Sequence, residues 1–319
     1  MDNAGIGRPD TTRVLGTLKP FQRDTVEYVF QRMYTDEDCT KRFLVADEVG
    51  LGKTLVARGL IARAIDHLEE RVDRIDIVYI CSNADIARQN LQRLNLTEDR
   101  DAARVGRLTM LPAMLPKLDP RLNFVAFTPG TSFNMGSSTG TWQERALLFW
   151  MLEDLGRLPV NARGKPDSSG APQLFQGGVY DLADWKARLA CRWLPAIGSI
   201  EIEPVLLQRF DDALQNAAVE AAKRGEPDLQ ARITTACARL KGRRIQNAQE
   251  TVWREANSIV GELRMSLARA CLSALEPDLV ILDAYSRPRL PLIPDEVCHP
   301  FHAKAARDST ARLPPRQAA

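Results

Sequence analysis

One stretch constrains this chain more than any other. The apolar run Phe43-Leu44-Val45-Ala46 passes directly into Asp47-Glu48-Val49-Gly50-Leu51-Gly52-Lys53-Thr54, and an amphipathic helical pattern continues from Lys53 to Leu68. A strand, a glycine-bearing turn and a helix in that order bring the amides of the turn and the positive end of the helix to one place. Gly50 and Gly52 allow backbone conformations closed to other residues, so that successive N–H groups can converge on an anion. The ending Gly-Lys-Thr is that of a phosphate-binding P-loop, with Asp47 standing where the common pattern has its first glycine. On that pattern Val49, Gly50, Leu51, Gly52, Lys53 and Thr54 form the cradle. Lys53 is then expected to reach the β- and γ-phosphates of ATP, and the Thr54 hydroxyl to ligate Mg2+.

The surrounding periodicities give the setting of that turn. Phe21 to Tyr34 carries Val26, Val29, Phe30 and Met33 at helical spacing behind Pro20. Ile75 to Cys81 is dense in β-branched residues and predicts a second strand, followed by a helix to about Leu94. Asn123–Phe127 and Leu279–Asp283 predict two more strands. Strands alternating with helices imply a parallel sheet flanked by helices, because parallel strands need long crossovers. The fold class expected is therefore α/β.

Between the third and fourth strands the pattern is helical, near Trp142–Leu155, Leu182–Trp193, Val205–Arg224, Leu229–Leu240 and Ile245–Leu275. The Gly/Pro/Ser-rich piece Asn161–Gly178 reads as a loop. This divides the chain into a frayed terminus (1–14), an ATP-binding core (15–135), a mostly helical insertion (136–276) and a final core strand (277–283). Residues 284–319 hold six of the nineteen prolines, and they predict a tail without packed structure.

With 43 basic against 41 acidic side chains the net charge is +2, which excludes a histone-like polybasic binder but not a local basic groove. The cluster Arg239-Leu240-Lys241-Gly242-Arg243-Arg244 reads first as a solvated face, with contact to a nucleic-acid backbone as the alternative. Six scattered cysteines form no C-x-x-C pair, which disfavours a zinc ribbon and predicts reduced thiols in a cytoplasmic protein. No apolar run reaches the roughly 18 residues of a membrane span, and no export leader opens the chain, so no membrane partner is expected.

Taken with Asp47 and Glu48, D-E-x-G-L-G-K-T resembles motif I of superfamily-two helicases of the Swi/Snf remodeller type. Leu18-Lys19-Pro20-Phe21-Gln22-Arg23 is similar to the group's first motif, whose glutamine contacts adenine, a role the resemblance gives to Gln22. Ile77 to Asn83, with the helix to Leu94, stands where the group has motif Ia. Thr128-Pro129-Gly130-Thr131-Ser132-Phe133 occupies the place of the next strand-end motif, and both lie near DNA in that family. Leu279–Asp283 matches the strand of motif II and makes Asp283 the magnesium residue; the family's following glutamate is Ala284 here. Hydrolysis needs a group that activates water, and alanine has none.

The resemblance implies the first RecA-like lobe of a DNA-dependent ATPase or helicase-like translocase, with Lys53 and Asp283 as catalytic residues and weak turnover alone. DNA is the implied partner, and the helical insertion could recruit a protein. Residues 284–319 are too few and too rich in proline for the second lobe such enzymes use, so a truncated or frameshifted relative is expected. Two alternatives stay open. One is a non-catalytic, nucleotide-dependent binding module, which Ala284 favours. The other is a P-loop small-molecule kinase, which needs an arginine-bearing lid and an acceptor pocket that the sequence does not offer.

Overall fold

The computed structural model describes residues 9–46, 51–81, 89–90, 92–96, 107–127, 139–166, 169–177, 181–242 and 250–283. Val49, Gly50, the strand-end motif at 128–133, Arg243, Arg244 and everything from Ala284 onward lie outside them. Helices α1 (Thr11–Gly16), α2 (Pro20–Phe30) and α3 (Lys53–Leu68) lead into strand β1 (Ile75–Cys81), and β2 (Leu122–Phe127) follows. Helices α4 (Trp142–Asp154), α5 (Ala171–Gln176) and α6 (Leu182–Cys191) precede a two-residue hairpin, β3 (Trp193–Leu194) with β4 (Gly198–Ser199). Then come α7 (Pro204–Lys223), α8 (Leu229–Leu240), α9 (Glu250–Leu275) and the last strand, β5 (Leu279–Asp283).

The main sheet has the order β2-β1-β5, all parallel, so the α/β architecture expected from the alternation is present. Its register is fixed at the strand starts. Asp76 accepts from Arg74 Nε and Asn123 Nδ2, each at 2.9 Å, while its backbone N–H donates to the Asp278 carboxylate at 2.9 Å. One residue thus links β1 to β2 through its carboxylate and to the start of β5 through its backbone N–H, and a one-residue slip would break both links.

Strand alternation sends Ile75, Ile77, Tyr79 and Cys81 to one face, where Val29 and Phe30 of α2 and Leu60, Ile61, Ala64 and Ile65 of α3 cover them. Val78, Ile80, Val125 and Phe127 face the other way into a larger cluster built by α4 to α9. The helical stretch therefore packs as a layer directly on the sheet. Its centre is α4, in which Ala146 to Leu152 are all buried; a helix apolar all round has to lie inside. Thr141 and Glu144 open it with a capping box.

Three expectations need correction. Phe43–Ala46 forms no strand: no neighbouring segment among the described residues offers it a ladder. Phe43 instead packs edge-on against Tyr28 and Val45 leans on the α2/α3 core, while Leu44 is 83% exposed. Part of the supposedly frayed terminus is helical, because the Asp10 side chain caps α1 by accepting from Arg13 N at 2.9 Å. Within the supposed loop Asn161–Gly178, Gly170 turns at φ +95° and Pro172 starts the fully buried α5.

Candidate functional site

The glycine turn enters α3 through Gly52, which adopts φ +83° and accepts from Leu55 N and Val56 N at 2.8 and 3.1 Å. A side chain is excluded there twice over: the left-handed backbone disfavours one, and a Cβ would lie 2.5 Å from Gln22 Nε2. Gln22, 3% exposed, donates from Nε2 to Leu51 O at 2.8 Å and accepts from Lys19 N at 3.0 Å. The residue that the resemblance assigns to adenine therefore holds the turn against the start of α2. Lys53 is exposed and Thr54 half-buried in the first turn of α3.

Chain direction brings this turn to the carboxyl ends of the strands. After Leu68 a tight turn, with Val72 N donating to Leu68 O at 3.1 Å, feeds straight into Ile75, so α3 runs back along β1. The sixteen residues of α3 span about 24 Å. The seven of β1 span about 23 Å. The start of α3, with Gly52, Lys53 and Thr54, is therefore directed toward the carboxyl ends of the strands and not toward their starts. β1 is flanked by β2 on one side and β5 on the other, so the chain changes its direction of travel across the sheet there, and ligands of open α/β sheets bind in the crevice beyond such a point.

Asp283 ends β5 beside Cys81, on the face that carries Tyr79 and α3. Its Oδ2 accepts from the Tyr79 hydroxyl at 2.6 Å and from Asn90 Nδ2 at 3.2 Å; Asn90 Nδ2 also donates to the Tyr79 oxygen at 2.9 Å. Burial, and then the bond to Asp283, push the Tyr79 phenol far above its ordinary value, so it stays a donor.

Among the described residues no group of three or more His, Cys, Asp or Glu could hold a metal by itself. Magnesium carried in by a nucleotide takes one or two protein ligands and completes its shell with phosphate oxygens and water. Thr54 offers a hydroxyl in the first turn of α3 and Asp283 a carboxylate at the end of β5.

Of the residues singled out from sequence, Gln22, Leu51, Gly52, Lys53 and Thr54 gather at the start of α3, and Asp283 lies at the neighbouring strand end. Tyr79 and Asn90 escaped the sequence reading. The available signal was the single aromatic in β1, two residues from the strand end and on the same face as Asp283. No protein-family model, curated protein or solved structure matches this chain. No helix among the described residues is long and apolar enough to cross a membrane.

Proposed function

We propose that this chain is the ATP-binding lobe of a DNA-dependent ATPase of the helicase or translocase type, better suited to binding than to turnover. What supports the reading is chain direction: α3 opens with Gly52-Lys53-Thr54 and leads back into β1, beside which β5 ends in Asp283. A helix N-terminus preceded by a glycine turn favours a polyphosphate through its unpaired amides and its dipole. Lys53 would supply a positive charge to the terminal phosphates, and Thr54 and Asp283 are the two groups that would hold magnesium. When bound, that ion would neutralise charge on the phosphates and fix their orientation. The family resemblance of the D-E-x-G-L-G-K-T and L-K-P-F-Q-R segments points to nucleic acid as the partner.

A second reading, a nucleotide-dependent binding module without hydrolysis, is favoured by Ala284, which leaves the position after Asp283 without an acid–base group. Titration with ATP and Mg2+, followed by hydrolysis assays with and without DNA, separates the readings. DNA-stimulated turnover supports the ATPase, and tight binding without turnover supports the module. Turnover that requires a small acceptor instead identifies a kinase. Lys53→Ala is expected to lose ATP affinity at least tenfold with an unchanged circular dichroism spectrum, because an exposed lysine at a helix start supports little of the core. Retained affinity in that variant removes the phosphate-cradle reading.

A further inference from the structure

The geometry points to Tyr79 and Asn90 as positioning residues that hold Asp283 by one carboxylate oxygen and present the other to a magnesium–nucleotide complex. This inference rests on the ATP reading above and adds to it the means by which the acidic side of the site is oriented.

The carboxylate torsion of an aspartate is broad when nothing holds it. Here Oδ2 is held from two directions, by a phenol rooted in the central strand and by an amide on the helical segment that follows that strand. Both holders are interior: Tyr79 is 3% exposed and Asn90 7%. Asp283 itself is only half-buried, and its neighbour Leu282 is 46% exposed, so water would solvate the carboxylate adequately if no more than solvation were required.

Donor and acceptor are ordered along the chain of bonds. Asn90 donates to the Tyr79 oxygen, and the Tyr79 proton is committed to Asp283. Both bonds end on Oδ2, and Oδ1 is the oxygen that would meet the incoming ligand. Groups that fix a metal-binding carboxylate in this way matter nearly as much as the carboxylate, and removing one typically costs about 10- to 100-fold in metal affinity.

The test is an equilibrium titration of the full chain with a fluorescent N-methylanthraniloyl ATP, once with excess magnesium chloride and once with EDTA. Tyr79→Phe keeps the ring and removes the hydroxyl. It is expected to weaken binding about tenfold in magnesium and to leave the EDTA affinity unchanged. In an Asp283→Asn background the same substitution should have no further effect, since the hydroxyl acts through that carboxylate. Asn90→Ala repeats the comparison from the other donor and stands in if Tyr79→Phe does not fold. Equal losses with and without magnesium, no loss at all, or losses that add in the double variant would each overturn the positioning role. Wild-type chain that binds no nucleotide under either condition overturns the ATP reading and this inference with it, whereas wild type that binds normally beside an unaffected Tyr79→Phe overturns the positioning role alone.

Discussion

Glu144 is a buried carboxylate on which four partners converge. It is 0% exposed, and its carboxylate accepts from Arg264 Nη2 at 2.8 Å, from Thr109, from Arg107 at 3.3 Å and from Thr141 N at 2.6 Å. Burial alone would raise its pKa, but the Arg264 charge and the hydrogen bonds from Thr109 and Thr141 outweigh that and hold it below the ordinary glutamate value. The sign follows: a depressed folded pKa gives stability that is complete above the unfolded value of about 4.3 and is lost as pH falls through the folded one. Glu144→Gln strands Arg264, 1% exposed, without its anion. Breaking one side of such a pair costs about 3–5 kcal/mol at pH 7. The gap between variant and wild type should narrow below about pH 4. Asp76 and Asp278, which burial raises, pull the pH dependence the other way, so the comparison of the two proteins isolates Glu144. Urea unfolding at neutral and acid pH measures it, and a gap of equal size at both would show that the charge of Glu144 is not what holds Arg264.

Among the elements, α3 differs along its length. Its first turn carries Lys53 and Thr54, while its middle lies so close to α2 that a Cβ on Gly59 would come within 2.8 Å of Val26 Cγ2 and 2.9 Å of Leu18 Cδ1. Gly59→Leu would gain roughly 1 kcal/mol of helix propensity yet force α2 away. Overpacking of this kind costs about 1–3 kcal/mol or more. A lower urea midpoint is therefore expected, and a rise would mean that the α2/α3 contact yields freely.

The same element shows what the sequence could disclose. α3, β1 and β5 are legible residue for residue, because helical and strand periodicities run unbroken between turn signals. Phe43–Ala46 is not, since an apolar run specifies burial or pairing without saying which, and here Phe43 packs on Tyr28 instead of joining a ladder. α5 hides in a Gly/Pro-rich stretch whose proline starts a helix. At the candidate site, Gly52-Lys53-Thr54 and Asp283 are suggested by motif chemistry. Tyr79 is not, because its bond to Asp283 depends on the pairing of strands whose bonded side chains stand 204 positions apart in the chain.

At the scale of the molecule, sheet and helical layer form one body. The cluster that contains Val78, Ile80, Val125 and Phe127 of the strands also contains Trp150, Trp185, Phe210, Leu240 and Leu267 of the helices, with no apolar break between them. Close-packed interiors of this kind unfold together unless a polar boundary separates them. The five tryptophans, Trp142, Trp150, Trp185, Trp193 and Trp253, all belong to the helical stretch, so their fluorescence reports that layer and not the edge proposed to bind nucleotide. A ligand at Lys53 and Asp283 touches none of them, yet in a single cooperative unit it must stabilise whatever they report. At a hundred times its dissociation constant, a magnesium–ATP analogue adds about 2.7 kcal/mol to every part of a two-state protein. The tryptophan transition and the far-ultraviolet circular dichroism should therefore move together to higher temperature by the same amount. A tryptophan transition that stays in place while nucleotide binds would mean that the helical layer unfolds on its own. The buried strand residues of its cluster would then be insufficient to couple it to the site.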